Sequence, residues 1–262
     1  MLGFINWDVK PELFEIGPVV IRYYGLLFAL AFYAAYLVFL RIFKRENIKL
    51  EVLDSLTFYM IIGVVVGARL GHILFYQPMD YINDPLEILK VWHGGLASHG
   101  AAIGILIALY MFSRKHKRSY LWILDRIAIV VPLSGAFIRL GNLMNSEIYG
   151  GVTDMPWGFI FVRNGETLPK HPTQIYEALC YIAIFVLLWS MYRAGKKINI
   201  PGYFIGLMVT LLFTARFLVE FVKNVQVDFE ASMFLNMGQL LSIPFIIGGL
   251  LTMWWSMKQA KA

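Results

Sequence analysis

Arg139, Asn142 and Asn145 recur every third residue within Ile138-Arg139-Leu140-Gly141-Asn142-Leu143-Met144-Asn145-Ser146-Glu147-Ile148-Tyr149-Gly150. If the helix continues through this stretch, that spacing puts a fixed cation and two amides on one face. Such a face suits an anion with several oxygens, a phosphate above all. The stretch follows an apolar run from Leu121 to Phe137. Arg139 therefore falls at the end of a membrane span or just inside it. An arginine costs roughly 2.5–3.5 kcal/mol at mid-bilayer and less toward the interface. A stop-transfer boundary with a snorkelling arginine explains the stretch equally well when it is taken alone.

The rest of the chain must decide, starting with composition. Hydrophobic residues make up 59% of the 262 residues, and mean hydropathy is +0.65. Only 15% are charged, against about 25% in a soluble domain. This excludes an ordinary soluble domain and indicates an all-α integral membrane protein. The formal charge of +6 does not call for nucleic acid, because the cations fall on alternate loops. The single cysteine, Cys180, lies in an apolar run and excludes an intrachain disulfide. Residues 1–17 are mixed in character and read as an interfacial segment. They lack a basic stretch followed by an apolar one, so no cleavable signal peptide is expected.

A hydrocarbon core of ~30 Å takes about 17–25 residues per helix. Apolar runs of that order lie at about 19–40, 53–76, 95–113, 120–140, 173–192, 201–222 and 238–257. They predict a seven-transmembrane bundle forming a single polytopic domain over 1–262. Loop cations set its orientation. Arg41, Lys44, Arg45, Lys49, Arg114, Lys115, Lys117, Arg118, Arg193, Lys196, Lys197, Lys258 and Lys261 fall on one side. The alternate loops hold Asp80, Asp84, Glu87, Asp154, Glu166, Asp228 and Glu230. The N-terminus is thus expected outside the cytoplasmic membrane and the C-terminus inside. The longest outer connection, about 141–172, is expected to form a small cap. Its run Trp157–Arg163 before Asn164-Gly165 is a hairpin signal.

With that orientation, polar residues converge at one depth. Arg22, Tyr23 and Tyr24 open the first span, and Arg69 and His72 lie in the outer half of the second. His99 starts the third. Arg139, Asn142, Asn145 and Glu147 close the fourth. His171, Gln174, Tyr176 and Glu177 open the fifth, Arg216 and Glu220 lie high in the sixth, and Gln239 opens the seventh. Intramembrane ionisable groups normally face the bundle interior and mark function. Arg69, Arg139 and Arg216 cannot lose their charge, so their shared level favours an anionic ligand, naturally a phospholipid headgroup. Arg216 and Glu220, at i and i+4, are also placed to form a structural pair.

His93-Gly94-Gly95-Leu96-Ala97-Ser98-His99-Gly100 is the second chemical stretch. Its glycines permit close backbone approach. Cations at the depth of His99 disfavour its protonated form, leaving an imidazole able to accept a proton near neutrality. A hydrogen-bonded structural histidine is the alternative. His72, His93, His99 and His171 lack metal-ligand spacing, so neither metal nor cofactor is expected.

These motifs together resemble bacterial prolipoprotein diacylglyceryl transferase, collinearly over nearly the whole chain. The likeness rests on Ile21-Arg22-Tyr23-Tyr24-Gly25, Ala68-Arg69-Leu70-Gly71, Gly94 to Gly100, the Arg139 stretch, His171-Pro172-Thr173-Gln174-Ile175-Tyr176-Glu177, Arg216-Phe217-Leu218-Val219-Glu220 and Gly238-Gln239. The Arg139 stretch is the family signature, with Ile138 and Leu143 where the family has glycine and phenylalanine. The resemblance implies seven spans and an outward-facing site open laterally to lipid. It implies transfer of the diacylglyceryl group of phosphatidylglycerol to the lipobox cysteine of a preprolipoprotein, with release of glycerol phosphate. It places catalytic and binding residues on Tyr24, His99, Arg139, Asn142, Glu147, Gly150 and Arg216.

The chemistry fits the residues. A thiolate must form before it attacks carbon, and His99 can take its proton. Arg139 and Arg216 can stabilise charge on the departing phosphate, groups of this kind being worth roughly 3–4 kcal/mol each. Tyr24, Asn142, Asn145, Glu147, Gly150, Arg69 and Glu220 complete the expected substrate-binding set. A phospholipid or anion transporter is the rival reading. It is disfavoured by inner span halves with few polar groups and by the lack of paired repeats. A serine protease using Ser134 lacks the G-x-S-x-G context.

Overall fold

The apolar runs fold as long helices because only internally hydrogen-bonded backbone suits a lipid environment. The structure is a computed structural model that describes residues 3–17, 19–76, 78–79, 84–90, 94–224 and 233–260. Asp80, His93, Asp228, Glu230 and Lys261, which entered the sequence argument, lie outside the described residues. Seven long helices are present among the described residues: α1 (Tyr23–Arg45), α2 (Leu50–Phe75), α3 (Ser98–Lys115), α4 (Tyr120–Met144), α5 (Thr173–Arg193), α6 (Tyr203–Val219) and α7 (Met237–Gln259). All but α3 are long and apolar enough to cross a membrane. The run expected at 95–113 differs in its start. Gly94 and Gly95 adopt φ of +89° and +69°, values open to glycine. They turn the chain into α3, so Gly95 falls outside the helix it was expected to open. The helix then has 18 residues, with Ser98-His99-Gly100 at one end and Ser113-Arg114-Lys115 at the other.

The chain divides into two compact units. Phe39–Leu124 forms one, centred on α2 and α3. Backbone meets backbone there, through Gly63, Gly67 and Gly71 on α2 and Gly100 and Gly104 on α3. The four-residue spacing keeps the small residues on one stripe, the close-packing pattern of membrane helices. A Cβ on Gly104 would lie 2.1 Å from the Gly63 carbonyl oxygen. Gly104→Val is therefore expected to force the helices apart at a cost of about 1–3 kcal/mol. A lowered Tm of the purified protein in detergent is the readout.

Met1–Val38 with Asp125–Ala262 forms the second unit. Asp125, a carboxylate within the fourth apolar run, is fully buried and has a clear task. Its carboxylate accepts the backbone N–H groups of Gly202, 2.8 Å, and Ile205, 3.0 Å. These are orphan donors at the start of α6, where a negative charge is also favoured by the helix dipole.

The connection between α4 and α5 folds differently from the expected hairpin. Its strand β4 (Phe159–Phe161) pairs in parallel with β1 (Ile5–Trp7), placing Ile5 opposite Phe159 and Trp7 opposite Phe161. Antiparallel contact on the other side is confined to the bridge between Phe159 and Lys170. Asn164-Gly165 closes a short 3-10 turn instead of a strand-to-strand loop. The reason is burial: Phe159 and Phe161 pack with Leu143, Trp7, Tyr149 and Ile175. The Trp7 indole also donates to the Leu143 carbonyl at 3.0 Å. β2 (Glu12–Ile16) and β3 (Val19–Arg22) form a separate antiparallel hairpin leading into α1. The described residues thus form a helical fold with four short strands.

Candidate functional site

Four charged side chains from three segments alternate in sign inside the second unit. The Arg139 ε-nitrogen of α4 pairs with the Glu177 carboxylate of α5. The other Glu177 oxygen lies 2.8 Å from the Lys223 ammonium. Lys223 also lies 3.2 Å from the Glu220 carboxylate. The Glu177, Lys223 and Glu220 side chains are 1%, 3% and 7% exposed, so none is a surface pair whose worth solvent would screen away. Gly238 makes the space for Glu220, since a Cβ there would come within 2.4 Å of the Glu220 carboxyl. Asn236 caps α7 and donates its side-chain amide to the Glu220 carbonyl at 3.1 Å.

Arg216 stands apart from this chain of pairs. It is half-buried near the end of α6, and no ion pair or hydrogen bond holds it among the described residues. The i,i+4 pair with Glu220 allowed by the sequence is not formed, because Glu220 turns to Lys223. Tyr181 lies within electrostatic reach of both Arg139 and Arg216. Tyr24, at the start of α1, lays its ring against the Gly141 backbone and lies within reach of Glu147 and Arg139.

The loop after α4 is strained and held in place. Ser146 and Ile148 adopt φ of +53° and +60°, and a β-branched residue there is a genuine outlier. Three side chains fix three successive carbonyls. Asn164 donates to Ser146 at 2.7 Å, Gln174 to Glu147 at 2.7 Å and Thr173 to Ile148 at 2.8 Å. Such over-determination lets a strained segment persist. The Glu147 carboxylate consequently accepts from the amides of Asn142, 2.7 Å, and Asn145, 3.3 Å. Asn142 also accepts from Arg139 at 3.3 Å. At the end of the loop, a Cβ on Gly150 would lie 2.2 Å from the Val222 carbonyl, next to Lys223. Further out, Glu166 accepts from Tyr149 at 2.9 Å and pairs with Lys170 at 3.1 Å. Burial pushes its carboxyl upward, but the bonds from Lys170 and Tyr149 outweigh that and hold it below the usual range.

Tyr24, Arg139, Asn142, Asn145, Glu147, Gly150, Arg216 and Glu220 are thus brought into this unit. Arg69 and His99 belong to the other. Arg69 is buried and spends its guanidinium on backbone carbonyls: Ile88 at 3.1 Å, Gly94 at 2.6 Å, Gly95 at 3.3 Å, and Glu87. It ties down the turn that leads into α3. His99 is exposed and packs edge-on against Phe75 and tilted against Tyr76. No hydrogen bond engages its ring among the described residues.

Sequence reasoning missed Lys223, Tyr181, Thr173 and Asn164 as members of the site. Lys223 falls just past the sixth apolar run, where a charge reads as a loop residue. The available signal was its position three residues after Glu220, on the same helical side.

Helices long and apolar enough to span a bilayer define a polytopic membrane protein, and its second unit carries a buried ionic cluster beside a half-buried guanidinium. The chain belongs to the prolipoprotein diacylglyceryl transferase family, whose model matches residues 11–255. It is 47% identical over 254 residues to the phosphatidylglycerol–prolipoprotein diacylglyceryl transferase of Tolumonas auensis, covering 97% of this chain and 98% of that protein. The Chloroherpeton thalassium protein of the same name is 46% identical over 260 residues, covering 99% and 97%. That of Bacteroides fragilis is 45% identical over 267 residues, covering 97% and 96%. Membership of a transferase family sets the transporter reading aside.

Proposed function

We propose that this protein transfers the diacylglyceryl group of phosphatidylglycerol to the lipobox cysteine thiol of a bacterial preprolipoprotein, the first step of lipoprotein maturation. The observation that carries this reading is Arg216, a half-buried guanidinium that among the described residues has no ion pair and lies beside a cluster of matched charges. A phosphate diester is the anion such a group suits. In the step, the thiolate sulfur attacks the glycerol carbon that bears the phosphate. The carbon–sulfur bond forms as the carbon–oxygen bond breaks, and glycerol phosphate leaves with the bonding electrons. Arg216 and Arg139 stabilise the charge that grows on the leaving phosphate. Tyr24, Asn142, Asn145, Glu147 and Gly150 shape the headgroup site, and Glu220 orients it through Lys223. His99 takes the thiol proton, a role supported by its exposure and by ring nitrogens that no hydrogen bond occupies among the described residues. Arg69 acts by setting the turn that carries His99.

The protein forms a single seven-span domain in the bacterial cytoplasmic membrane, with the 18-residue α3 as one of the spans. The N-terminus and the cap over 141–172 lie outside, the C-terminus lies in the cytoplasm, and the site faces the outer leaflet. The loop cations support that orientation. The test is incubation of purified protein with phosphatidylglycerol and a lipobox peptide. Peptide lipidation and glycerol phosphate release should appear together, and both should vanish when the peptide cysteine is serine. Folded protein that yields neither product would overturn the reading. His99→Gln is expected to lower turnover about 100-fold or more, and near-normal turnover would remove the general-base role.

A further inference from the structure

Helices α6 and α7 run antiparallel along a close seam. The Gly206 position lies against Gly249 and Met253, Phe213 stacks on Phe245 with ring centroids 4.2 Å apart, and Glu220 fits against Gly238. One flank of this seam is hollow. A furrow of about 200 Å³ lies there, lined by Ile205 and Val209 of α6 and by Pro244, Phe245, Gly248 and Thr252 of α7. Its one hydroxyl is already satisfied, because Thr252 donates to the Gly248 carbonyl at 2.7 Å. The surface offered is therefore mostly hydrocarbon. Gly248 faces open space: a Cβ there would meet no heavy atom within 4 Å.

Helical spacing ties the furrow to the anion site. Ile205, Val209, Leu212 and Arg216 follow one another at i, i+4, i+7 and i+11 on a single stripe of α6. The stripe is apolar until it reaches the guanidinium. Val209 and Ile205 lie two and three turns from Arg216, about 10 and 16 Å along the axis. Half of a hydrocarbon core is about 15 Å. A chain hanging from a phosphate at Arg216 thus has the length to lie in the furrow.

We propose that the furrow is an acyl-chain seat, holding one chain of the phospholipid whose headgroup phosphate Arg216 binds. The proposal rests on the transferase reading for the headgroup and adds a chain subsite to it. The seat makes the protein sensitive to chain length through groups far from the reacting atoms. The remote contact helps fix the lipid so that its glycerol carbon is presented to the thiol.

Gly248→Leu tests this, because the open space lets the new side chain enter the furrow without displacing protein atoms. The variant and the wild type are compared with dipalmitoyl and with dihexanoyl phosphatidylglycerol, whose short chains stop above Gly248. The expected result is a loss of roughly tenfold in kcat/KM for the long-chain lipid and a change within about twofold for the short-chain one. Equal losses with both lipids, or no loss with either, overturn the seat. A second measurement does not depend on turnover. Phosphatidylglycerol carrying a photoreactive group at the end of one chain should label the 205–209 and 244–252 segments in the wild type, and label them less in Gly248→Leu. Labelling spread evenly over the lipid-facing helices leaves only bulk lipid in the furrow and removes the proposal. Wild-type protein that transfers nothing from either lipid sinks the transferase reading, while the labelling still decides whether a chain occupies the furrow.

Discussion

Arg216→Ala should reduce diacylglyceryl transfer by about 100- to 1000-fold with little change in Tm. The size is that of losing one charged donor aimed at developing negative charge, roughly 3–4 kcal/mol. The unchanged stability follows from the lack of an ion pair at Arg216 among the described residues. Deleting it leaves no buried carboxylate alone. Arg139→Ala is a contrasting control, because it strips Glu177 of a partner and should lower both activity and Tm. Arg216→Lys keeps the charge but loses the planar fork. It should recover part of the rate if charge dominates and little if bidentate phosphate binding does. Single-turnover rates with phosphatidylglycerol and a lipobox peptide, measured beside thermal unfolding, separate the two effects. Normal turnover in Arg216→Ala would show that the unengaged cation is not used on the leaving phosphate.

Lys223→Met should destabilise the protein by about 3–5 kcal/mol, the cost of breaking a buried pair by removing one partner. Lys223 lies between Glu177 and Glu220, so its loss leaves two buried carboxylates sharing Arg139. Charge logic then predicts a rescue. Adding Glu220→Gln to Lys223→Met removes the surplus negative charge and should restore much of the lost stability. A double variant no better than the single one would mean that Lys223 contributes packing instead of charge. Such non-additivity is expected of groups in direct contact. The readouts are the denaturation midpoint in detergent and, for the anion site, KM for phosphatidylglycerol. An uncompensated carboxylate beside a phosphate site should raise KM more than it lowers kcat.

The cap carries a smaller lesson about how sequence signals compete. Asn164-Gly165 after a β-rich run favours a hairpin locally, yet β4 takes its ladder from Ile5–Trp7. Two phenylalanines, Phe159 and Phe161, are buried by that choice together with Leu143. Burying aromatic area is worth more than the turn preference. The partner lies at the far end of the chain, so no window around residue 160 contains it.

Residues 94–98 show the converse, a local signal that was present and misjudged. The apolar run at 95–113 takes in Gly95, although paired glycines such as Gly94-Gly95 commonly punctuate such a run. Their left-handed φ values start α3 later and put His99 in its first turn.

By itself the sequence determined that the chain is an α-helical membrane protein, because apolar runs of spanning length leave the backbone few alternatives. It also determined which residues are costly enough in lipid to need a purpose: Arg69, Arg139, Arg216 and the carboxylates near them. Spacing on one helix fixed the shared face of Arg139 and Asn142, and they do touch. Only the tertiary structure decided who neutralises whom. Arg139 meets Glu177 from another helix, Glu220 prefers Lys223 to the arginine one turn away, and Arg69 gives its donors to a turn. Those choices depend on how helices are rotated about their axes and on which glycine opens room, as Gly238 does for Glu220. A linear sequence carries charge and periodicity but not rotation, and rotation is what left Arg216 without an ion pair among the described residues.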